Sequence, residues 1–559
     1  MNETSFLLSN EVKPLTKEHC SLRNETSFLL RKKLFGLFLA IILSIAFFVR
    51  FYKITETPPS LSWDEAAVGY NAWSVANFGK DEWGKTLPIY FKSFEDDKHP
   101  VHIYITSLFV KVLGPSDFSV RLPAVVFGVL NVLLIFLVGR VMFNKTVGLI
   151  AAFVLTLSPY AIHFSRFNHE LNFTIFFFLL GLFLFYQAIK KNIYFLPLSF
   201  LAFGIDLLAY HSAKVVVPPI ILLLLIFHLK KLLQDKIILF LALLVIGFFI
   251  TLIILNSPLL GLARSEQASF PKERIEKTFM YKFTKNELLG RVGVAIGQYP
   301  LHFNKDYLFT KGSINPRLSN QAGGLFFPVD GLFLLLGLIW VLWKRSKESL
   351  LFIAVGLLAP IPSALTSEAP HPARAMYMVG SWHFISALGF YFLLGLFKKN
   401  VFKILTIFSI SLLIVYSSYY NFSKYLTEYN DRYAIEWQYG MREIVEFVKT
   451  NPQYGWIYMT DVRSQPYIFY LFYLLPSPDK FQSTVEYNQT SQRSSNLVTF
   501  FDTFYFGGWD FVESSPRPGV IYVLSPSQYD GLRHKTSFQI KKKILYSNGS
   551  DAYFIVGAD

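Results

Sequence analysis

Apolar residues run in long stretches through the first three quarters of the chain, broken by short polar interruptions. A stretch of about 20 apolar residues crosses a bilayer as a helix. Eleven such segments are predicted: residues 34–51, 121–139, 146–164, 171–189, 193–209, 213–229, 236–255, 325–343, 349–365, 376–396 and 401–418. The pattern is that of a polytopic α-helical membrane protein. Residues 101–113, VHIYITSLFVKVL, are apolar but too short to cross comfortably, and counting them as a span would invert every later loop. They are expected as an interfacial or re-entrant helix. Past residue 418 the pattern changes. WIYMTD (456–461), GVIYVLS (519–525) and DAYFIV (551–556) read as strands, while 442–450 and 466–475 read as helices. Together they predict a small α/β domain.

Charge gives the orientation. Arg31, Lys32 and Lys33 precede the first span. Arg140 and Lys145, then Lys190 and Lys191, then Lys230, Lys231 and Lys236 fill alternate short loops, as do Lys344, Arg345 and Lys347, and finally Lys398, Lys399 and Lys403. Short basic loops stay cytoplasmic. The expected organisation is a cytoplasmic leader (1–33), a transmembrane module (34–418) and an extracytoplasmic α/β domain (419–559) in a cell (plasma or inner) membrane. Two large loops, 52–120 and 256–324, then join the C-terminal domain on the outer side. The net charge of +15 belongs to these topology-setting loops, so nucleic acid is not an expected partner. The single cysteine, Cys20, excludes an intrachain disulfide. NETSFLL occurs at 2–8 and again at 24–30, too few copies for a repeat fold. No cleavage-type site follows the first apolar run, so the leader is read as poorly ordered and cytoplasmic rather than as a signal peptide.

Candidate chemistry gathers in the outer loops. PPSLSWDEAAVGYNAWS (58–74) follows the first span and carries Asp64 and Glu65. Ser62 and Glu65 fit a capping box, Gly79 suits the far end, and Ala66, Tyr70 and Trp73 share a face, which predicts a helix lying on the membrane. One reading of the two acids is structural: a cap and a first-turn charge. The other is a site. FEDDKHP (94–100) brings Asp97, Lys98 and His99; SRFNHE (165–170) brings Arg166, His169 and Glu170; YHSAK (210–214) brings Tyr210, His211 and Lys214. Arg317, and Glu368, His371 and Arg374, complete the set. Asp64, Glu65 and Glu170 are the candidate catalytic carboxylates. The basic, histidine and tyrosine side chains are candidates for donor phosphate or substrate. Arg317, Arg374 and Lys214 are the cations best suited to a developing phosphate charge.

W-D-E (63–65), then D-K-H-P (97–100), then V-R-L-P (120–123) resembles glycosyltransferase family 39, the group of protein mannosyltransferases and aminoarabinose transferases. S-P-Y-A-I-H-F-S-R (158–166) with Glu170, Y-H-S-A-K (210–214) and W-Q-Y-G (437–440) are similar to its bacterial branch. The resemblance implies the GT-C fold and a sugar carried on a polyprenyl phosphate. It also implies transfer with inversion to an acceptor hydroxyl on a protein, lipid or glycan, with Asp64 as general base. It places the family's second acidic residue on Glu170 and its polar loop element on Asp97, Lys98 and His99. In some members that element binds a metal, so Asp97 and His99 are the pair expected to hold a divalent cation if one is used. Two other classes compete. A lipid-linked sugar transporter or flippase would place charges near the bilayer midplane and show repeated halves, and neither is seen. A non-catalytic cell-surface glycan-binding membrane protein would not need both Asp64 and Glu170. A polymer-transferring enzyme would be expected to carry a W-W-D type element, which WDF (509–511) is not.

Overall fold

A computed structural model describes residues 17–94, 96–260, 268–489, 496–507 and 517–558. Helix α1 (Lys17–Phe51) is followed by α2 (Trp63–Phe78), a short antiparallel hairpin of β1 (Phe91–Ser93) and β2 (Asp96–Lys98), and α3 (Pro100–Leu113). Then come α4 (Asp117–Met142), α5 (Lys145–Leu157), α6 (Pro159–Phe164) and α7 (Leu171–Lys190). Helices α8 (Phe195–Leu207), α9 (Ala213–Leu232) and α10 (Lys236–Leu255) follow. Later helices run over Pro328–Lys344, Lys347–Leu358, Met378–Leu396 and Asn400–Tyr433. Every segment expected to span is therefore helical. Among the described residues, eight helices are long and apolar enough to cross a membrane, and the protein is a multi-pass membrane protein.

Proline accounts for several differences from the expected pattern. The segment 146–164 is two helices, because Pro159 supplies no N–H to continue α5 and instead opens α6 at its first position, with Ser158 as cap. Pro360 likewise ends the helix over Lys347–Leu358. Residues 17–32, expected in a poorly ordered leader, extend α1. The first NETSFLL copy lies outside the described residues, as does WDF (509–511). Where helices 328–344 and 378–396 cross, only glycine fits: a Cβ on Gly389 would lie 1.9 Å from the Phe333 carbonyl oxygen.

The final long helix does not stop at residue 418 but continues to Tyr433, into the C-terminal region. There a seven-stranded mixed sheet forms in the order β4-β5-β6-β3-β7-β9-β8. Its strands are β3 (Trp456–Thr460), β4 (Glu486–Tyr487), β5 (Val498–Phe501), β6 (Phe504–Gly507), β7 (Val520–Leu524), β8 (Gln539–Leu545) and β9 (Asp551–Gly557). Strand β3 is parallel to β6 and β7, and the other pairings are antiparallel. Helices Met441–Thr450 and Tyr467–Leu474 cover one face.

Helix α2 is not a helix lying open on the membrane. Ala66, Ala67 and Tyr70 are fully buried, and the Tyr70 hydroxyl donates to the Pro476 carbonyl at 2.9 Å. A Cβ on Gly69 would lie 2.5 Å from the Phe472 ring. The first large loop and the C-terminal domain thus share one hydrophobic core. Helix α3 keeps one face open at Leu108 and Val112 and buries the other at Ile103 and Val110, as an interfacial helix does.

Candidate active site

The N-terminus of α2 divides two acids. Ser62 Oγ accepts from Glu65 N–H at 3.3 Å, and Glu65 Oε2 accepts from Ser62 N–H at 3.2 Å, a complete capping box. The same carboxylate is gripped by Arg121, Nε to Oε1 at 2.9 Å and Nη2 to Oε2 at 3.1 Å, and also takes Asn168 N–H at 3.0 Å. Arg121 further donates to the carbonyls of Ile54 and Pro58 at 2.9 and 2.8 Å and to that of Ser60. Glu65 and Arg121 are wholly buried, and their pairing closes the 54–65 turn. Asp64 faces the other way. Its side chain is 46% exposed and opens on a cavity of about 590 Å³.

Lys98, at the end of β2, donates to Asp64 Oδ1 at 2.5 Å. Arg317 Nη1 comes within 3.9 Å of Oδ2, with its guanidinium stacked 4.3 Å over the Trp63 ring. The Arg317 backbone is fixed from behind: its carbonyl meets His163 Nε2 at 2.9 Å, and Tyr429 OH donates to the Pro316 carbonyl at 2.7 Å. Trp63 N–H donates to Gln438 Oε1 at 3.2 Å, so the W-D-E and W-Q-Y-G motifs touch.

The opposite wall is built of histidines around a carboxylate. Glu170, just before α7, has Oε1 3.7 Å from His102 Nε2 and Oε2 3.5 Å from His169 Nδ1. Burial opposes its ionisation, but His102, His169 and Lys98 outweigh that and hold the carboxyl below its usual range. Burial drives His102 down to about 4, against the pull of Glu170. His99 caps the start of α3, and its ring meets His211 edge-on at 4.2 Å. Lys214 Nζ lies 2.8 Å from His99 Nε2 and 3.5 Å from His211 Nδ1. Burial, and then Lys214 and His211, hold His99 well below its ordinary pKa.

Asp64, Asp97, Lys98, His99, His169, Glu170, Tyr210, His211, Arg317 and His371 all line the cavity. Four candidates do not. Glu65 is enclosed with Arg121. Arg166 is buried and donates to the carbonyls of Val49, Arg50, Lys53 and Thr57, tying off the end of α1. Lys214 stands behind His99 and His211. Arg374 donates to Thr366 Oγ1 at 2.7 Å and to Glu368 Oε2 at 3.3 Å, supporting the wall from outside. Around the expected metal pair, His99 Nε2 lies 2.8 Å from Lys214 Nζ, and among the described residues no group of three or more His, Cys, Asp or Glu converges. The sequence reading missed His102, Asn168, Ser464 and Gln465 as lining residues. His102 sits two residues beyond D-K-H-P and carried a readable signal, a histidine inside an apolar helix. Ser464 and Gln465 come from the C-terminal domain and carried none.

The profile of the dolichyl-phosphate-mannose-protein mannosyltransferase family matches residues 97–255. Two proteins of Bacillus subtilis (strain 168) are similar over part of their length. The candidate mannosyltransferase YkcB is 30% identical over 168 residues, 29% of this chain and 22% of that one. The candidate mannosyltransferase YycA is 28% identical over 169 residues, 29% of this chain and 23% of that one. The matched region thus spans less than a quarter of either relative. Among solved structures, ArnT from Cupriavidus metallidurans in the apo state superposes with a TM-score of 0.56 at 12% identity, covering 94% of this chain and 98% of that one. ArnT bound to undecaprenyl phosphate gives 0.54 at 13% identity, covering 93% and 97%. The Archaeoglobus fulgidus oligosaccharyltransferase tethered to an acceptor peptide gives 0.51 at 14% identity, covering 93% and 74%. The fold is GT-C, and residues 97–255 carry the sequence pattern of family 39.

Proposed function

We propose that this GT-C chain is an integral-membrane glycosyltransferase. It moves a sugar from a polyprenyl-phosphate carrier to an acceptor hydroxyl, with inversion, on the extracytoplasmic face. The observation that carries the reading is Asp64. It is a half-exposed carboxylate opening on a cavity that also holds Lys98, Arg317 and the partly buried Glu170. Asp64 accepts the acceptor's hydroxyl proton as that oxygen attacks the anomeric carbon. The bond from that carbon to the phosphate oxygen breaks, and polyprenyl phosphate leaves with the electron pair. Charge grows on the leaving phosphate, where Arg317 and Lys98 are placed to meet it, and Arg317 can do so with two parallel N–H groups. Glu170 offsets positive charge at the sugar ring as the bond loosens. Glu65 acts by holding Asp64 in place.

The carrier class is supported by ArnT, the fold neighbour bound to undecaprenyl phosphate. The face is supported by charge. The basic ends of α4, α7 and α9 (Arg140, Lys190, Lys230 and Lys231) lie away from the α4 and α7 N-termini, where the site is built. The acceptor is a protein, lipid or glycan hydroxyl read by the wall that the C-terminal domain contributes. The test is release of free polyprenyl phosphate from a panel of polyprenyl-phosphate sugars by purified protein in liposomes with cell-envelope extract. Acceptor-dependent release from one donor is expected, and it names the sugar. Folded protein releasing carrier from none of the panel would count against the transferase reading.

A further inference from the structure

Helices Phe279–Thr284 and Glu287–Gln298 lie in the second large loop, between α10 and Pro328. The longer one has two apolar faces. Gly290, Val294 and Gln298, four residues apart, face the protein, and a Cβ on Gly290 would lie 2.5 Å from the Ile275 side chain. On the opposite face Leu288, Leu289, Val292 and Ile296 are exposed. In the shorter helix Phe279 and Phe283 are 81% and 82% exposed and stack at 6.2 Å. An apolar surface of this extent is a covered surface in the working protein.

Two observations say what covers it. It follows in the chain α10, a helix long and apolar enough to cross a membrane that exposes Ile254 and Leu255 at its end. It is also flanked by positive charge: residues 272–298 hold six basic against three acidic residues. Lys282 and Lys285 adjoin the Phe279–Phe283 pair and are exposed. Apolar side chains beside lysines whose stems can reach up to phosphate suit a helix lying in the headgroup layer.

We infer that residues 272–298 form a membrane-surface anchor that inserts Phe279, Phe283 and the open face of Glu287–Gln298 into the lipid interface, with its lysines on anionic phosphate headgroups. The anchor is tied to the cavity. Gln298 donates to the Ala364 and Thr366 carbonyls at 2.9 Å each, and Arg274 donates to the Ser367 carbonyl at 3.1 Å. The next residues, Glu368 and His371, line the cavity. Seating the anchor therefore sets the position of that wall.

The test uses the full chain with Cys20→Ser and Phe283→Cys, spin-labelled, in nanodiscs of phosphatidylcholine with and without phosphatidylglycerol. Gln453→Cys, exposed on the C-terminal domain, is the solvent reference. The ratio of oxygen to nickel-complex collisions is expected to be several-fold higher at position 283 than at 453. It should rise further with phosphatidylglycerol and lose that rise in Lys282→Gln/Lys285→Gln. A ratio equal to the reference, or a label shielded from both relaxers as in a protein contact or a lid closed on the cavity, overturns the anchor. Immersion indifferent to phosphatidylglycerol overturns the assignment to anionic headgroups.

Discussion

At the start of α2 the chain builds two charge clusters side by side, an open one around Asp64 with Lys98 and Arg317, and a closed one around Glu65 with Arg121. The closed cluster is sealed from solvent, and each partner's remaining hydrogen-bonding capacity goes to backbone groups of residues 54–62 and 168. The open cluster has a half-exposed carboxylate whose contacts include a short one to Lys98 and a long one to Arg317. Identical chemistry at adjacent positions thus yields a framework on one side and an exchangeable group on the other. Exchange of partners is what a proton acceptor and a phosphate site require, and it is what a structural pair must avoid.

The sharpest way to break the framework side is Arg121→Ala. It strands a buried carboxylate and is expected to cost about 3–5 kcal/mol. A collapse of the thermal transition in detergent, with loss of monodisperse protein, would register it. A variant melting like wild type would mean that the closed cluster is dispensable.

The histidine wall predicts the next effect. His102 is buried with its pKa pushed down to about 4, so it stays neutral in the folded protein while the unfolded chain takes up a proton near pH 6.5. Stability is full above that pH, is lost as pH falls toward about 4, and loses no more from this group below it. The total is roughly 3 kcal/mol. Thermal melts of wild type from pH 7.5 to 4.5 should therefore fall steeply, and His102→Gln should flatten the slope. An unchanged slope in the variant would remove His102 from the account.

On the open side, Arg317→Ala should weaken binding of polyprenyl phosphate by about 10- to 100-fold, the loss of a charged hydrogen-bonding partner. Arg374→Ala, which reaches the cavity only through Glu368, should change it by less than about threefold, within what remote substitutions do. Equal effects in titrations of the two variants would erase the distinction between lining and supporting cations.

Much of this was legible beforehand. Spans announce themselves because a bilayer demands about 20 apolar residues, and a capping box is a local pattern of four. The helix running on to Tyr433 was not, because past residue 418 polar positions return (Asn421, Ser423, Lys424) and hydropathy no longer marks it. Nor was β8, whose QIKKKIL keeps three exposed polar positions at a sheet edge. Within SRFNHE, Arg166 turns inward to the end of α1 while His169 and Glu170 line the cavity. Residues so close together share one sequence signal, and only the turn between α6 and α7 separates their fates. Gln465 reaches the cavity across hundreds of residues of chain, a placement that no local pattern encodes.

The most direct test sets Asp64→Asn beside wild type in proteoliposomes supplied with the donor and acceptor that support release. Carrier release, carrier binding and the thermal transition would all be read. The account predicts unchanged folding, near-normal carrier binding and a fall in release of about 10²–10⁴-fold, the contribution of a general base. Release within a few-fold of wild type by folded Asp64→Asn would contradict it.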